Sequence, residues 1–276
     1  MTLSWQPPTD TLLIEVVDRV GVIRFNRPDR RNALHDDMYA PIIEAIEAFA
    51  EAPDVGCVVL TGVGTAFCSG GDVRDGSGRR TDGTRPSDAE RAANLAANGR
   101  LSVVLREAPI VTIAAMNGPA VGAGLALALA CDIRIAATSA TCVGGWARLA
   151  FSGDFGGAWL LAHRIGHAAA LEFLALNRTV TASDALVLGL VDRVVDDDNL
   201  ETTWRTLAAG FAAGPKAAIG LMKANLNDAI RLSLGDAIRV EAERMVASSR
   251  TQDHREAVRA WVERRDPRFG PATEHD

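Results

Sequence analysis

Apolar and polar residues alternate over Leu12–Val17 and again over Val20–Phe25, with Asp18-Arg19 between them. That period predicts two half-buried strands joined as an antiparallel hairpin. Asn26-Arg27-Pro28-Asp29 ends the hairpin. From Asp36 to Glu51 the apolar residues Met38, Ile42, Ile43, Ile46 and Phe49 recur at helical spacing, Pro53-Asp54 stops the helix, and Gly56–Thr61 is a short apolar run of the kind that forms a buried strand. The sequence repeats this alternation. A helix over about 88–107 is followed by Pro109, a strand over Ile110–Ala115, a glycine-rich turn, a helix over about 123–131 and a strand over Ile133–Ala136. Strands alternating with helices predict an α/β fold with parallel pairing. From Gly156 onward the pattern is mainly helical, with a last strand near Leu190–Val195 and amphipathic periods over Glu201–Ala213, Lys216–Ala229, Leu232–Ala247 and His254–Arg264. No Pro/Ser-rich linker divides the chain. Residues 1–200 read as a core domain and 201–276 as a C-terminal helical region attached to it. The stretch Asp75–Asp88 has almost no apolar content and reads as a solvated loop.

Composition narrows the functions. The 276 residues carry 29 basic and 35 acidic side chains, a net charge of −6, which argues against a nucleic-acid partner. With 48% apolar and 23% charged residues the chain can bury a full core. Its longest apolar stretch, Pro119–Cys131, falls short of the about 20 residues that a membrane span requires. Met1–Asp10 shows no basic-then-apolar leader pattern. Cys57, Cys68, Cys131 and Cys142 are widely spaced, which fits small buried side chains in a reducing cytoplasm better than disulfides or zinc. His163 and His167 stand four apart, as a metal pair on one helix face would, but no third ligand is near, so they read as surface or packing residues. Neither a P-loop, a dinucleotide fingerprint nor a GxSxG elbow is present.

Two glycine-rich turns, Gly62–Asp72 and Asn117–Gly124, each follow a buried strand and precede a helix. Such turns expose backbone N–H groups where no side chain blocks approach, and two that converge make an oxyanion hole. The same glycines would also serve tight turns and close helix packing alone. Ala66-Phe-Cys-Ser-Gly-Gly-Asp72 resembles the first oxyanion turn of the crotonase (enoyl-CoA hydratase/isomerase) superfamily, and Asn117-Gly-Pro-Ala-Val-Gly-Ala-Gly124 followed by Ala-Leu-Ala-Cys-Asp132 resembles its second. Asn26-Arg-Pro with Arg31-Asn-Ala-Leu34, the block Asn177–Ala185 with Gly189-Leu-Val191, and Glu256 with Trp261–Arg264 also fit, so the resemblance covers about residues 11–265. It implies a superhelix of ββα units with a C-terminal helical extension, an acyl-CoA substrate, coenzyme A as part of that thioester with no tightly bound cofactor, and a homotrimer or dimer of trimers.

Carried onto this chain, the resemblance places the two amide donors at Gly71 and Ala123, with Ser69, Gly70, Asp72 and Gly122 around the bound thioester. Donors of this kind contribute on the order of 3–4 kcal/mol each. The family's hydratases clamp a water between two glutamates, at the positions held here by Ala126 and Trp146. Neither residue can position and deprotonate water, which argues against simple hydration. One carboxylate remains, in Phe151-Ser-Gly-Asp154-Phe-Gly-Gly-Ala-Trp-Leu-Leu161, a stretch similar to that of the Asp-type phenylacetyl-CoA ring-epoxide isomerases. There the resemblance implies proton transfer between carbons by Asp154; on spacing alone Asp154 could equally be a helix cap. Trp146 eight residues before an Asp is also similar to the 4-chlorobenzoyl-CoA dehalogenases, whose Asp is a nucleophile, and Trp146 as a filler of the old glutamate cavity stays open. Enoyl-CoA hydratase-like lyase chemistry and a non-catalytic CoA-binding role are also compatible with the same fold. For the CoA phosphates Arg30, Arg31 and Arg74 are candidates, with Arg264 or Arg265 further off, each otherwise an ordinary solvated arginine.

Overall fold

In the computed structural model, which describes residues 9–72 and 86–270, β1 (Leu12–Val17) and β2 (Val20–Phe25) form the predicted antiparallel hairpin in the register Leu12 opposite Phe25. β1 alternates buried and exposed positions, as an edge strand should. β2 then pairs in parallel with β3 (Cys57–Gly62), β3 with β4 (Val111–Met116), β4 with β6 (Ile133–Ala137) and β6 with β9 (Arg193–Val195), giving the order β1-β2-β3-β4-β6-β9. Every residue of β4 is buried, because helices cover both faces of the sheet.

On one face lie α1 (Asp36–Glu51), α2 (Asp88–Glu107) and α3 (Ala123–Ala130). α1 turns Met38, Ile42, Ile46 and Phe49 inward, while α3, apolar all round, is wholly buried. The other face packs on α7 (Leu200–Ala212), whose Trp204, Ala208 and Ala212 meet Val22, Val59 and Ile113. Burying one side chain the size of Trp204 stabilises by about 2–3 kcal/mol. Thus the first helix of the 201–276 stretch closes the sheet's second layer. Beyond it come α8 (Lys216–Asp228), α9 (Leu234–Ser248) and α10 (Gln252–Glu263), of which α9 buries no residue and α10 only Ala260.

Three strands escaped the sequence pattern because they are two or three residues long: β5 (Ala120–Val121), β7 (Thr141–Val143) and β8 (Thr179–Thr181) make a second sheet, β5-β7-β8. Between β7 and β9 the chain adds α4 (Gly157–Ile165), α5 (His167–Leu176) and α6 (Ala182–Leu188). Gly166 breaks the run between α4 and α5, so His163 and His167 do not share a helix face as the spacing predicted. His163 instead stacks on Trp159, ring centroids 3.8 Å apart. Arg74 and most of the polar stretch Asp75–Asp88 lie outside the described residues; its end is a helix start, where Ser87 accepts from Glu90 N–H as the cap of α2. The four cysteines are buried and free. No described helix is long and apolar enough to cross a membrane, and no cluster of three metal-ligating residues occurs among the described residues.

Candidate active site

β3 and β4 are parallel neighbours, so the turns that follow them leave the same edge of the sheet side by side. That edge is where open α/β sheets bind ligands. Two asparagines shape the first turn. Fully buried Asn32 donates through Nδ2 to the Val63 and Ala66 carbonyls (2.9 and 2.7 Å) and accepts from Arg27 N–H (2.9 Å). From the other side Asn117 donates to the carbonyls of Gly64 (2.8 Å) and Ala66 (3.2 Å) and accepts from Gly62 N–H (3.1 Å). The Asp72 carboxylate is held by Arg27 at 2.9 Å, and this ion pair fixes the far end of the turn. Ser69 is likewise a brace, its N–H donating to Arg31 O and its hydroxyl to Arg30 O.

These braces decide where the Gly71 amide points. Leu34 N–H donates to Gly70 O (2.8 Å) and Leu34 O accepts from Asp72 N–H (3.0 Å), so the intervening Gly71 peptide group faces the opposite side. No acceptor among the described residues takes its N–H, and a Cβ at Gly71 would meet open space. The second turn ends in α3, with Gly122 as N-cap at φ 55° and Ala123 as first helical residue. Its N–H is one of the donors that a helix leaves unpaired at its start. The turns are in contact: a Cβ on Gly70 would lie 2.8 Å from Val121 O and 3.6 Å from Ala123 N, and one on Gly124 would lie 2.3 Å from Cys68 O. Close approach therefore demands glycine at 124, while the openness at Gly71 serves no packing purpose. Buried Cys68, whose thiol is pushed up to about 12 by desolvation, remains protonated between the turns.

The second sheet brings in the remaining groups. β7 runs beside β5, Gly122 N–H donates to Val143 O (3.1 Å), and Asn177 Oδ1 accepts from Gly145 N–H (2.7 Å). Trp146 follows directly. Its indole lies about 4 Å from where a Cβ of Gly122 would stand, and its Nε1–H donates to Asp154 Oδ1 at 2.8 Å. Asp154 is not a helix cap: α4 begins at Gly157 behind Gly156, which holds a left-handed conformation, with no side-chain cap. Half-buried Asp154 has its pKa raised by desolvation, with the Trp146 hydrogen bond opposing the shift, and no histidine or second carboxylate among the described residues bears on it. Ala126 is fully buried in α3.

Tyr39, the chain's one tyrosine, is a site neighbour that the α1 periodicity did not single out. Its ring packs on Phe155 (centroids 5.7 Å apart), and burial, together with the negative charges of Asp36 and Asp154, holds its hydroxyl strongly protonated. A polar aromatic in the first turns of a helix right after the Arg31–Leu34 block was the available signal. Arg30 and Arg31 are exposed on the loop whose carbonyls anchor Ser69, at the rim of the first turn. Arg265 is engaged by Glu256 and Glu263.

The enoyl-CoA hydratase/isomerase family pattern matches residues 15–272. The chain is 35% identical to the 1,2-epoxyphenylacetyl-CoA isomerase of Escherichia coli, over 94% of this chain and 97% of that one. It is 29% identical to 4-chlorobenzoyl coenzyme A dehalogenase-1 of an Arthrobacter species, over 85% and 84% of the two chains. A crystal structure of an enoyl-CoA hydratase from a Polaromonas strain superposes with TM-score 0.85 at 29% identity, covering 94% of this chain and 99% of that one. The chain thus belongs to the enoyl-CoA hydratase/isomerase, or crotonase, family of acyl-CoA-processing enzymes.

Proposed function

We propose that the protein is an acyl-CoA isomerase in which the N–H groups of Gly71 and Ala123 bind the thioester carbonyl oxygen and Asp154 carries the proton. The observation that supports this most is the state of Asp154: a desolvated carboxylate that caps no helix and whose one side-chain hydrogen bond among the described residues comes from the Trp146 indole, which itself stands against Gly122. Ionised Asp154 takes a proton from a carbon of the acyl group. The C–H electron pair moves toward the carbonyl, and the developing oxyanion is stabilised by the two amides. The carboxylic acid then returns the same proton to another carbon, so the double bond or ring bond is relocated with no net change in atoms. Burial raises the basicity of the carboxylate toward that task. Hydration would need a second group to hold water, and Ala126 and Trp146 stand where the family's hydratases carry glutamates.

A second reading, an aryl-CoA hydrolase with Asp154 as nucleophile, draws support from the Trp146–Asp154 hydrogen bond and from the similarity to the Arthrobacter dehalogenase. Incubating the protein with enoyl-, dienoyl- and aryl-CoA thioesters, including a halobenzoyl-CoA, separates the two. A rearranged acyl group of unchanged mass, lost in Asp154→Asn, supports the isomerase; halide release with no rearranged product refutes it. Arg30 and Arg31 are proposed to meet the CoA phosphates. A homo-oligomer, trimer or dimer of trimers, is proposed for the chain, since α9 and α10 expose Leu234 (78%), Met245 and Trp261 (85%); sedimentation of Trp261→Glu as a smaller species than wild type checks this.

A further inference from the structure

A cavity of about 250 Å³ lies between α2, α4 and the end of α8, lined among others by Ser102, Arg106, Phe155, Trp159, Leu160 and Ile230. Neither glycine-rich turn, nor Trp146, nor Asp154 lines it. Phe155 stands between, packing on Tyr39 and lining the cavity, with its backbone in the left-handed region at φ 52°.

Two polar groups at this cavity can take a further acceptor. Ser102 is 7% exposed, and its Oγ has no hydrogen bond among the described residues. Arg106 is partly buried, stacks over the Trp159 ring at 5.1 Å, and forms no ion pair among the described residues. A buried hydroxyl without a partner is unfavourable, and the Arg106 guanidinium, partly desolvated, feels the charges of Asp132 and Glu107 only at a distance beyond an ion pair. A carboxylate satisfies both, accepting from the Ser102 hydroxyl and meeting the Arg106 charge, while Phe155, Leu160 and Ile230 suit an apolar body. The nearby Arg231 is already paired with Asp228 at 2.9 Å, and Glu107 at the rim disfavours a second negative charge. An apolar cavity of about 150 Å³ holds a benzene ring, so the present one has room for a ring and a carboxylate.

We propose that this cavity is a second binding site, specific for a small amphipathic monocarboxylate whose anionic end meets Arg106 and Ser102 and whose apolar body packs on Phe155, Leu160 and Ile230. The proposal stands independently of which reaction Asp154 performs. The carboxylate is either a free acid or the far end of an acyl group that passes Phe155, and the chemistry of recognition is the same.

The test titrates the whole protein with benzoate and with neutral benzamide, by calorimetry and by tryptophan fluorescence, with Trp159→Phe assigning the signal to the cavity. Benzoate is expected to bind saturably and about tenfold more tightly than benzamide, and Arg106→Met to remove that preference. Should Arg106→Met fail to fold, Ser102→Ala, which removes only an unpartnered hydroxyl, is expected to weaken benzoate severalfold while Tm is kept. Saturation with an unreactive CoA thioester tells the sources apart: undiminished benzoate binding means a free acid, and competition means an acyl end. Absence of saturable benzoate binding in protein that still binds CoA overturns the proposal, including the case in which a second copy of the chain covers the cavity. So does equal affinity for benzoate and benzamide.

Discussion

Ala123→Pro tests the oxyanion hole with little collateral damage to the fold. Ala123 is the first residue of α3, a position where proline is favoured because the N–H there has no helical partner and the fixed φ suits the first turn. The first helical hydrogen bond, Ala126 N–H to Gly122 O at 3.0 Å, is untouched. Residue 122, being glycine, lacks the Cβ that the proline ring would strike. The substitution therefore removes one N–H and puts the ring's Cδ where the substrate oxygen would sit. Loss of one such donor raises the barrier by about 2.7–4 kcal/mol, roughly 10²- to 10³-fold in kcat. Ala123→Gly keeps the donor and costs only about 1 kcal/mol of helix stability. The assay is turnover of an enoyl- or dienoyl-CoA thioester beside a thermal melt. Proline is expected to abolish most activity at a nearly unchanged Tm, and glycine to do the reverse. A folded Ala123→Pro protein with kcat/KM within a few-fold of wild type would refute the role of this amide, whatever the reaction.

Other perturbations probe the carboxylate and its supports. Asp154→Asn should lower kcat about 10²- to 10⁴-fold, yet raise Tm near neutral pH. Its folded-state pKa is raised, so the stabilisation belongs to the protonated form and is lost as pH rises through that value; asparagine removes the desolvated charge. A drop in Tm together with full activity would contradict both halves. Trp146→Phe deletes a hydrogen bond that favours the ionised carboxylate, so the acid limb of the kcat/KM profile should move to higher pH; an unmoved or lowered limb means the indole does not tune Asp154. Asn32→Ala leaves Arg27 N–H and the Val63 carbonyl without that partner, Ala66 O keeping Asn117, and should cost about 2–4 kcal/mol in denaturant unfolding, with turnover falling as the Gly71 turn loosens.

The hairpin, α1 and α2 were legible to the residue, because each pairs a clean apolar period with a definite stop at Asn26, Pro53 or Pro109. β5, β7 and β8 were not, since a period cannot be read from two or three residues, and their pairing is fixed by contacts between distant segments. For the same reason the two glycine turns could be found in the sequence but their contact could not. It follows from the parallel register of β3 on β4, with Val58 opposite Thr112 and Leu60 opposite Ala114. The break at Gly166 escaped because the residues on either side remain good helix formers, and only the left-handed backbone there separates α4 from α5.

The departure at residues 126 and 146 was legible as a loss and is better understood as an exchange. With Ala126 sealed inside α3, a carboxylate at that position would need its own partners in a wholly apolar helix. At residue 146 the indole stands against Gly122 and Gly157: a Cβ on Gly157 would lie 2.4 Å from its ring, so glycine is required there for the indole to fit. That packing sets the indole with its N–H toward Asp154 and fills the space between Gly122 and Gly157 with an apolar ring. On the proposed reading, one residue stands in place of a water-holding acid, shields the chamber from water and orients the surviving carboxylate. A site rebuilt this way favours chemistry in which a proton leaves one carbon and returns to another without exchange with bulk solvent. The fraction of substrate proton retained in product, measured in heavy water, reports this directly: high retention in wild type that falls in Trp146→Ala is expected, and complete washout in wild type would show that water reaches Asp154 freely.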